Sequence, residues 1–576
     1  MKIIERKRLS SDLIESMMMN RGIDNIELFL NPTSESDTVL SDIPNIFEAV
    51  EMIKRNIGKT ILILVDSDAD GNSSAAAMYK YLKIVNPFAK LKYYIHPCKT
   101  HGITDEFIKS LSNDDLPDMI IVPDAGTNDI ENREVIQKKG IDLLIIDHHN
   151  EDKFTSNGGI LINNHAKYPE NNINKNLTGS GMTYIVCKAF DEFAFHTNQV
   201  EKIRDLAMIG AIGDSASLVE SETRNFCMQS INNIQSKAIR AVMKSNNQDD
   251  EDMTFTAMQF GGIVPLINAI VRVGTYEERE LMFKALADIE PNYFEILEKR
   301  RKNKETGKFD KVKIKYSIYD LAVEAGKKCK DRQNKIVAKE MKFADEQFNK
   351  DAGIQIFFLQ TDEAKGITGL LANKLSSYWQ QPVFCVWEYN GDYTGSLRGW
   401  EKSLPSLKKW CENTGLFKLA QGHDNAAGVI FEKSKLNDII NATKKVEYEE
   451  VSVEVDKIYN TSVKIEDIFY VSSKIKMFKN GVIPPVFAVT NVPINENTTK
   501  WSKNTMRIYI DGVTYIKFKT PEEEYVDLIN SHNCKIDIVG SFSINEWNGN
   551  KYPQFMIEDY DLCKTSCSSV DFGIFG

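Results

Sequence analysis

Four short apolar runs in the first 220 residues are each followed closely by an acidic residue. The runs do not alternate polar with apolar positions, and they are Ile61–Val65, Met119–Val122, Leu143–Ile146 and Ala207–Gly213. Unalternating runs of this length are typical of strands that are buried on both faces of a sheet. The acids that follow are Asp66, Asp124, Asp147 and Asp214. The pattern therefore predicts four buried strands that end in carboxylates.

Segments with helical character lie between these runs, for example 73–85 and 128–139. Alternation of strands and helices predicts an α/β domain with a doubly wound parallel sheet. In such sheets, ligands bind at the carboxyl ends of the strands. We therefore expect the four acids to converge on one site.

Further ligand types accompany these acids. Asp68 and Asp70 follow Asp66, and His148 and His149 follow Asp147 directly. Clustered carboxylates repel one another and are costly to desolvate, so they need cations beside them. Oxygen ligands with imidazole suit Mn²⁺ or Mg²⁺ better than Zn²⁺, which favours thiolates. One acid after a strand is usually a turn or cap residue, whereas four with a histidine pair indicate a metal centre.

A calcium-binding EF-hand is the alternative interpretation of the segment that begins at Asp66. Its acids stand at the first, third and fifth positions of such a loop, and Gly71 stands at the sixth. The twelfth position should be Glu but is Ala77, and a strand is predicted where an EF-hand needs a helix. The calcium interpretation is therefore rejected.

The rest of the chain falls into three segments that differ in their pattern of apolar and polar residues. Residues 230–350 are predicted to be mainly helical, with the polar segment 321–350 as a solvated connector. Residues 351–445 alternate strands, such as Val383–Trp387, with helices, such as Gly369–Trp379. Residues 450–576 alternate apolar and polar positions, as in Met506–Ile510, which predicts a β-barrel.

Composition places this chain among ordinary globular proteins. It has 576 residues, which is enough for about three or four domains, with 42% hydrophobic and 27% charged residues. No uninterrupted apolar run reaches the roughly 18 residues of a membrane span, and the first residues lack a secretory signal. The nine cysteines form no Cys-x-x-Cys pair. We expect reduced thiols, a cytoplasmic location and no membrane contact.

Several segments resemble known motifs. Four of them resemble the motifs of the DHH phosphoesterases, namely Asp66–Gly71, Pro123–Gly126, Asp147–His149 and Gly213–Leu218. Others resemble the RecJ-type single-strand-specific exonucleases within that family: Ile162–His165, Leu177–Gly181, Gly366–Ala372, Gly395–Arg398, Gln421–Gly428, Ile544–Gly549 and Gln554–Asp559. Departures occur at Gln421, where the family has Gly, at Asn164, where it has Pro, and in the degenerate basic segment His96–Gly102.

The resemblance implies a domain order. A lead-in and a doubly wound DHH domain would occupy residues 1–235, and a helical connector residues 236–350. A smaller α/β domain of the DHHA1 type would follow over residues 351–448. An OB-like β-barrel would occupy residues 449–576.

The resemblance also implies an activity. The chain would hydrolyse single-stranded DNA with two Mn²⁺ or Mg²⁺ ions, from 5′ to 3′, and release nucleoside 5′-monophosphates. The sequence leaves open a role in DNA repair, recombination or nucleotide salvage, and the partners compatible with this activity are a single-strand-binding protein or a helicase. One alternative is a DHH phosphodiesterase for short oligonucleotides or cyclic dinucleotides, which would lack the OB-like domain. Another is a nucleic-acid-binding scaffold that has lost catalysis.

Residue roles follow from the same resemblance. The metal ligands would be Asp68, Asp70, Asp124, His148 and Asp214, with Asp124 between the ions, and Asp66 would be either a further ligand or a residue that orients one. Asp147 would hold a histidine, and His149 would contact the scissile phosphate or protonate the leaving oxygen. Phosphate contacts would come from Ser396, Arg398, His423 and either His96 or Lys99.

The net charge of −11 does not fit a polyanionic substrate unless the cations are concentrated in one groove. The residues expected to form that groove are Arg398, Lys402, Lys408, Lys409, Lys474, Lys476 and Lys479. Binding to a long strand should then weaken as salt rises.

Overall fold

The computed structural model divides the chain into two compact units. It describes residues 2–34, 37–112, 115–152, 158–169, 171–249, 253–302, 309–400, 404–446, 448, 452–478, 482–531 and 534–563. One unit combines Met1–Leu30 with Tyr448–Gly576, and the other is Asn31–Glu447. The unit that combines the N-terminal and C-terminal segments begins with β1 (Lys2–Glu5), α1 (Leu13–Met19) and α2 (Ile26–Leu30).

The larger unit starts with a five-stranded parallel sheet. Its elements are α3 (Ile46–Arg55), β2 (Thr60–Val65), α4 (Ala69–Val85), β3 (Lys90–Ile95), α5 (Asp105–Ser110), β4 (Met119–Pro123), α6 (Ile130–Lys138), β5 (Asp142–Asp147), β6 (Ile160–Asn163), α7 (Gly179–Phe190), α8 (Arg204–Gly213) and α9 (Ser221–Asn232). The strand order is β3-β2-β4-β5-β6, with every pair parallel. Ile61 and Ile63 of β2 pack into one core, and Leu62 and Leu64 pack into the core on the other face. The predicted doubly wound α/β fold is confirmed.

One of the four predicted strands is wrong. Ala207–Gly213 lies within the helix α8, so Asp214 follows a helix and not a strand. Ala and Met favour helix, and only two of the seven residues of this segment are β-branched. Gly210 lets α8 lie close to its neighbours, because a Cβ there would come within 2.0 Å of Asp70 Oδ1.

The predicted connector packs more closely than a solvated strut. It comprises α10 (Lys237–Asn246), α11 (Phe255–Phe260), α12 (Ile263–Val273), α13 (Tyr276–Leu286), β7 (Phe294–Lys302), β8 (Phe309–Ser317), α14 (Ile318–Glu340) and α15 (Ala344–Gln347). The helix α14 contributes Ala322 and Cys329 to the core of the first domain, and Ile336 and Val337 to that of the next. Its apolar stripe was hidden in the sequence by the many lysines on its other face. The hairpin β7–β8 was not predicted.

One apolar stretch meets the length and hydropathy expected of a membrane span. It is Phe255–Val273, with a mean hydropathy of 1.3, and half of it is buried inside the protein. Gly261 and Gly262 divide it into α11 and α12. A buried core helix passes the same test, so this stretch is weak evidence for a membrane span.

A second α/β domain completes the larger unit. Its elements are β9 (Gln355–Phe358), α16 (Thr368–Trp379), β10 (Val383–Tyr389), β11 (Asp392–Arg398), α17 (Leu407–Thr414), β12 (Leu419–His423), β13 (Ala426–Glu432) and α18 (Leu436–Thr443). The sheet order is β12-β13-β11-β10-β9, and only β9 and β10 pair in parallel. The register sets Arg398, Ala426 and His423 in one row across three strands.

The C-terminal unit is built on a seven-stranded mixed sheet. Its elements are β14 (Ser452–Val455), β15 (Lys457–Asn460), α19 (Ile465–Lys474), β16 (Phe487–Pro493), β17 (Thr499–Ser502), β18 (Thr505–Ile510), β19 (Val513–Phe518), α20 (Glu522–Asn530), β20 (Lys535–Trp547) and β21 (Asn550–Leu562). The order is β15-β16-β20-β21-β19-β18-β17. The long pair β20 and β21 forms its centre, as expected from the apolar alternation of this region.

The first thirty residues belong to this C-terminal unit and not, as predicted, to the first domain. The strand β1 pairs in parallel with β14. Both terminal nitrogens of Arg21 donate to Asp456 at 2.8 Å, and its Nε donates to the carbonyl of Ile483 at 2.6 Å. Sequence patterns are local and cannot reveal a pairing between segments so far apart in the chain.

Loss of this ion pair is expected to destabilise the C-terminal unit strongly. The side chains of Arg21 and Asp456 are 3% and 0% exposed, so Arg21→Met would leave a buried carboxylate without its main partner. We expect the free energy of unfolding to fall by about 3–5 kcal/mol. Chemical denaturation measures this change, with the exposed Arg8→Met as control. Equal stability of the two variants would contradict the assigned role of Arg21.

Candidate metal centre and adjoining cleft

Three of the predicted acids meet at the carboxyl edge of the parallel sheet. Asp66 follows β2, Asp124 follows β4, and Asp147 ends β5, and all three are buried. Asp70 joins them from the first turn of α4, and Asp214 from the C-terminal cap of α8. The sheet therefore gathers the carboxylates as predicted, although one of them arrives from a helix.

The start of α7 shapes the pocket around two of these acids. Asp70 accepts hydrogen bonds from the backbone amides of Gly179 at 2.7 Å and Ser180 at 2.9 Å. Amides at a helix N-terminus favour a carboxylate in that position. Gly179 also lies directly against Asp124, where a Cβ would come within 2.2 Å of Oδ1. Asp124 itself has a left-handed backbone with φ of 68°, which Asp tolerates better than most residues.

His148 stands at the centre of the first ligand cluster. Its Nε2 lies 3.2 Å from Asp124 Oδ1, 3.5 Å from Asp214 Oδ2 and 3.7 Å from Asp70 Oδ2. Neither His148 Nε2 nor Asp124 Oδ1 has a hydrogen-bond partner among the described residues, although both atoms are shielded from solvent. Buried polar atoms without partners are costly, so this geometry fits a divalent cation that satisfies them.

The electrostatics of this cluster support the same conclusion. Burial raises the pKa of Asp124 well above its usual range, and the charges of Asp70 and Asp68 raise it further. The pKa of Asp214 shifts in the same direction, also from burial first and then from Asp70 and Asp68. These carboxylates repel one another, and a bound cation would offset that repulsion.

A second ligand cluster lies beside the first and includes a histidine that the sequence analysis missed. Asp66, Asp68 and His101 bring their ligand atoms within 4.8 Å of one another. His101 Nδ1 lies 2.6 Å from Asp66 Oδ2, and the amide of Gly102 donates to Asp66 Oδ1 at 2.8 Å. The signal was present, because His101 lies in the loop after β3, at one more strand end of the same sheet. Two neighbouring clusters leave room for two ions.

Asp147 and His149 form a hydrogen-bonded pair at the edge of the first cluster, where His149 also brings a ligand atom within 4.8 Å of those of Asp124 and His148. His149 Nδ1 lies 2.8 Å from Asp147 Oδ1, which also accepts from the backbone amide of His148. Burial alone would raise the pKa of Asp147, but the hydrogen bond with His149 holds it below its usual range. The same hydrogen bond raises the pKa of His149 to about 9. The side chain of His149 is 59% exposed, so its imidazole faces the open side of the site.

Three cations lie within electrostatic reach of one another, and they come from three different parts of the larger unit. Two of them, Lys99 and Arg272, also lie within electrostatic reach of Asp68. Arg272 lies in the last turn of α12, Arg398 ends β11, and Lys99 lies in the loop after β3. Burial lowers the pKa of Arg398, and the charge of Arg272 lowers it further. Desolvation by the surrounding protein likewise lowers the pKa of Lys99, with further lowering by Arg272 and Arg398 and an opposing effect of Asp68. These cations repel one another, which favours an anion between them.

Local packing holds Arg398 in place on the second domain. Gly369 makes room for its guanidinium, because a Cβ there would lie 2.7 Å from Nη2. Its Nη1 donates to the carbonyl of Leu397 at 2.7 Å. Ser396, two residues earlier on β11, shares a hydrogen bond of 2.8 Å with Thr368. The Gly-Ser-x-Arg segment therefore lies against the start of α16 as a rigid surface.

The other predicted phosphate contacts have different outcomes. His96 is 1% exposed, and its ring packs edge-on against Tyr94, so it is out of reach of a substrate and Lys99 is the better candidate. His423 is exposed on β12. Lys402 and Lys479 lie outside the described residues, as does the side chain of Lys476. Arg272 was missed, although it is the one charged residue of the mainly apolar helix α12, which is a recognisable signal.

This combination of sheet, acids and histidines defines the DHH class of phosphoesterases. The family model for the N-terminal domain of the DHH family matches residues 60–212, and the model for the RecJ OB domain matches residues 466–559. The chain is 30% identical, over 97% of its length and 98% of the relative, to a Bacillus subtilis protein named as the putative SPbeta prophage-derived single-strand DNA-specific exonuclease YorK. The chain therefore belongs to the RecJ-type family of DHH proteins.

More distant relatives agree in fold. The single-stranded-DNA-specific exonuclease RecJ of Bacillus subtilis is 24% identical over 95% of this chain and 67% of its own length. The crystal structure of RecJ from Thermus thermophilus in complex with Mn²⁺ superposes with a TM-score of 0.72 at 16% identity. The superposition covers 97% of this chain and 79% of the Thermus chain. A Mg²⁺ complex of RecJ from the same organism gives a TM-score of 0.66.

Proposed function

We propose that this protein is a metal-dependent exonuclease that hydrolyses single-stranded DNA. The observation that carries the proposal is the pair of carboxylate and histidine clusters, with Lys99 and Arg272 within electrostatic reach of Asp68 and Arg398 within reach of those two cations. The acids would hold the ions that act on a phosphodiester, and the cations would bind the phosphates of the strand. The names of the relatives, which describe exonucleases specific for single-stranded DNA, support this substrate.

Each group of residues in the site has a different proposed role. Asp70, Asp124, His148 and Asp214 would hold one ion, and Asp66, Asp68 and His101 the other. When bound, Mn²⁺ or Mg²⁺ would neutralise the developing phosphate charge and make water nucleophilic near neutral pH. Asp147 keeps His149 protonated, so His149 can donate its proton to the oxygen that leaves the phosphorus. Arg398 would grip a phosphate through two of its N–H groups.

The direction of digestion is proposed as 5′ to 3′, with release of nucleoside 5′-monophosphates. The experiment is the digestion of strands labelled at either end and of blunt duplexes, with Mn²⁺, Mg²⁺ or a chelator. A 5′ label should appear first in mononucleotide, blunt duplex should be a poor substrate, and the chelator should stop the reaction. Equal rates on duplex and single strand would overturn the proposal. A cytoplasmic location and a single-strand-binding protein or helicase as partner are further proposals.

Substitution of Arg398 by Lys tests the phosphate contact. Lysine keeps the charge but loses the planar fork that binds two phosphate oxygens. We expect KM for a single strand to rise about 10-fold while kcat stays within about 2-fold. The control is Lys418→Gln, which alters an exposed lysine of the same domain that pairs with Asp392. An unchanged KM for Arg398→Lys would place the phosphate site elsewhere.

A further inference from the structure

The hairpin β7–β8 concentrates positive charge in an acidic protein. Between Phe294 and Ser317 the sequence has nine Lys or Arg and four Asp or Glu, whereas the whole chain has a net charge of −11. Among the residues that the structure describes, the two strands pair only with each other, as a two-stranded sheet. A two-stranded ribbon is only marginally stable by itself. The stability of the ribbon therefore does not explain why cations are concentrated in it.

The cations of β8 lie on one face of the ribbon. Lys311, Lys313 and Lys315 occupy alternate positions and are exposed, whereas Ile314 and Tyr316 on the other face are half-buried. Side chains alternate along a strand, so these lysines form a row with a spacing of about 6.8 Å. Glu298 lies 3.5 Å from Lys311, and it is the acid that the register sets opposite Lys313. The row therefore keeps an excess of positive charge.

Exposed apolar side chains share this face. The register sets Ile296 opposite Lys315 and Phe294 opposite Ser317, which places both residues on the lysine face. Phe294 is 47% exposed and Ile296 is 62% exposed. The ammonium of Lys315 lies 3.6 Å from the centre of the Phe294 ring. Lysines interleaved with an exposed aromatic ring are typical of surfaces that bind unpaired nucleotides, by phosphate contacts and base stacking.

The base of the hairpin is anchored by a helix cap and an ion pair that lie away from the metal centre. The strand β8 ends at Ser317, which caps α14 through a capping box with Asp320. Shortly before β7, Asp288 binds Lys80 of α4 at 2.6 Å. Lys80 is about ten residues beyond Asp70, which is about 15 Å along a helix. A strand held by the hairpin would therefore contact the protein outside the catalytic cleft.

We propose that the lysine face of β7–β8 is a second binding surface for single-stranded nucleic acid. It holds a part of the strand that is not being cleaved, through the phosphates at Lys311, Lys313 and Lys315 and a base at Phe294. This proposal rests on the proposed function only in taking the bound nucleic-acid strand to be the substrate. The contribution of this surface is affinity for long strands, and a substrate too short to reach it gains nothing.

The test compares Lys311→Gln/Lys313→Gln/Lys315→Gln with a matched triple variant of exposed lysines elsewhere, Lys435→Gln/Lys444→Gln/Lys445→Gln. Affinity for an oligodeoxythymidine of about 30 nucleotides is measured against salt, in EDTA so that no hydrolysis occurs. The hairpin variant should bind about 10-fold more weakly near 0.1 M salt, and its log–log salt slope should fall by about 2. Phe294→Ala should weaken binding without changing the slope.

Other outcomes discriminate among the alternatives. Wild-type affinity and slope in the hairpin variant would overturn the proposal, and would favour an acidic protein as the partner of this face. Hydrolysis of a dinucleotide, measured with Mn²⁺, should be the same in wild type and hairpin variant. Absence of hydrolysis of both the dinucleotide and a long single strand in both proteins would refute the proposed catalytic function and leave the binding result intact. If circular dichroism shows that the triple variant is unfolded, Lys313→Gln alone should lower the slope by about 0.7.

Discussion

Asp124→Asn is expected to lower hydrolysis of single-stranded DNA by about 1,000-fold or more, which corresponds to about 4 kcal/mol in the activation barrier. Asp124 supplies a buried oxygen that no described residue satisfies, next to His148. Asparagine has nearly the same shape and tolerates the left-handed backbone at this position. The loss would therefore report the missing ligand charge and not a change of fold.

The same variant should stabilise the metal-free protein. Burial and the neighbouring charges of Asp70 and Asp68 raise the pKa of Asp124, so its ionised form is disfavoured there. A neutral side chain removes that repulsion, and we expect the melting temperature without metal to rise by a few degrees. Wild type should gain stability on addition of Mn²⁺, whereas the variant should gain much less. Thermal unfolding with and without Mn²⁺ measures both effects.

The matched control for Asp124→Asn is Asp191→Asn. Asp191 is also buried, but it accepts hydrogen bonds from Tyr81, Thr197 and the amide of Val200. Its substitution should lower the melting temperature and leave the Mn²⁺-induced shift in place. Near-normal turnover by Asp124→Asn in Mn²⁺ would refute the assignment of the metal centre.

The second large effect is expected from Gly179→Ala. This substitution adds one methyl group at a residue that has no side chain with which to bind a metal ion. The new Cβ would lie 2.2 Å from Asp124 Oδ1 and 2.4 Å from its Cβ, so the carboxylate must move. The interior is close-packed, and α7 cannot retreat without disturbing the amides that hold Asp70. We expect affinity for Mn²⁺ to fall by about 10–100-fold and activity to fall at least as much.

Gly181→Ala, two positions further along α7, is the control for this steric effect. A Cβ at Gly181 would meet Leu177 Cδ2 at 3.1 Å, and a small movement of that side chain relieves the contact. Titration calorimetry with Mn²⁺ and single-strand hydrolysis should separate the two variants clearly. If Gly179→Ala bound Mn²⁺ as tightly as Gly181→Ala, then α7 would not be shaping the pocket.

The sequence alone determined those features that depend on neighbouring residues. The apolar runs of β2, β4 and β5 had to be buried on both faces, because their inward and outward positions are equally apolar. An acid directly after such a strand must lie at its carboxyl end, so Asp66, Asp124 and Asp147 could be placed at one edge. The adjacency of His148 and His149 to Asp147 needed no tertiary information at all.

Tertiary structure decided every feature that depends on contacts between distant segments. Burial of His96 and the approach of His101 to Asp66 follow from how one loop folds back on the sheet. Arg272 reaches the site only because α12 ends beside the second domain, where Gly366 lies against its carbonyl. Asp214 is supplied by a helix, since packing against α4 and α7 decides the form of a short apolar run that could be either strand or helix. An unambiguous local pattern determines whether a segment forms a helix or a strand. Which other element packs against that segment depends on the whole chain.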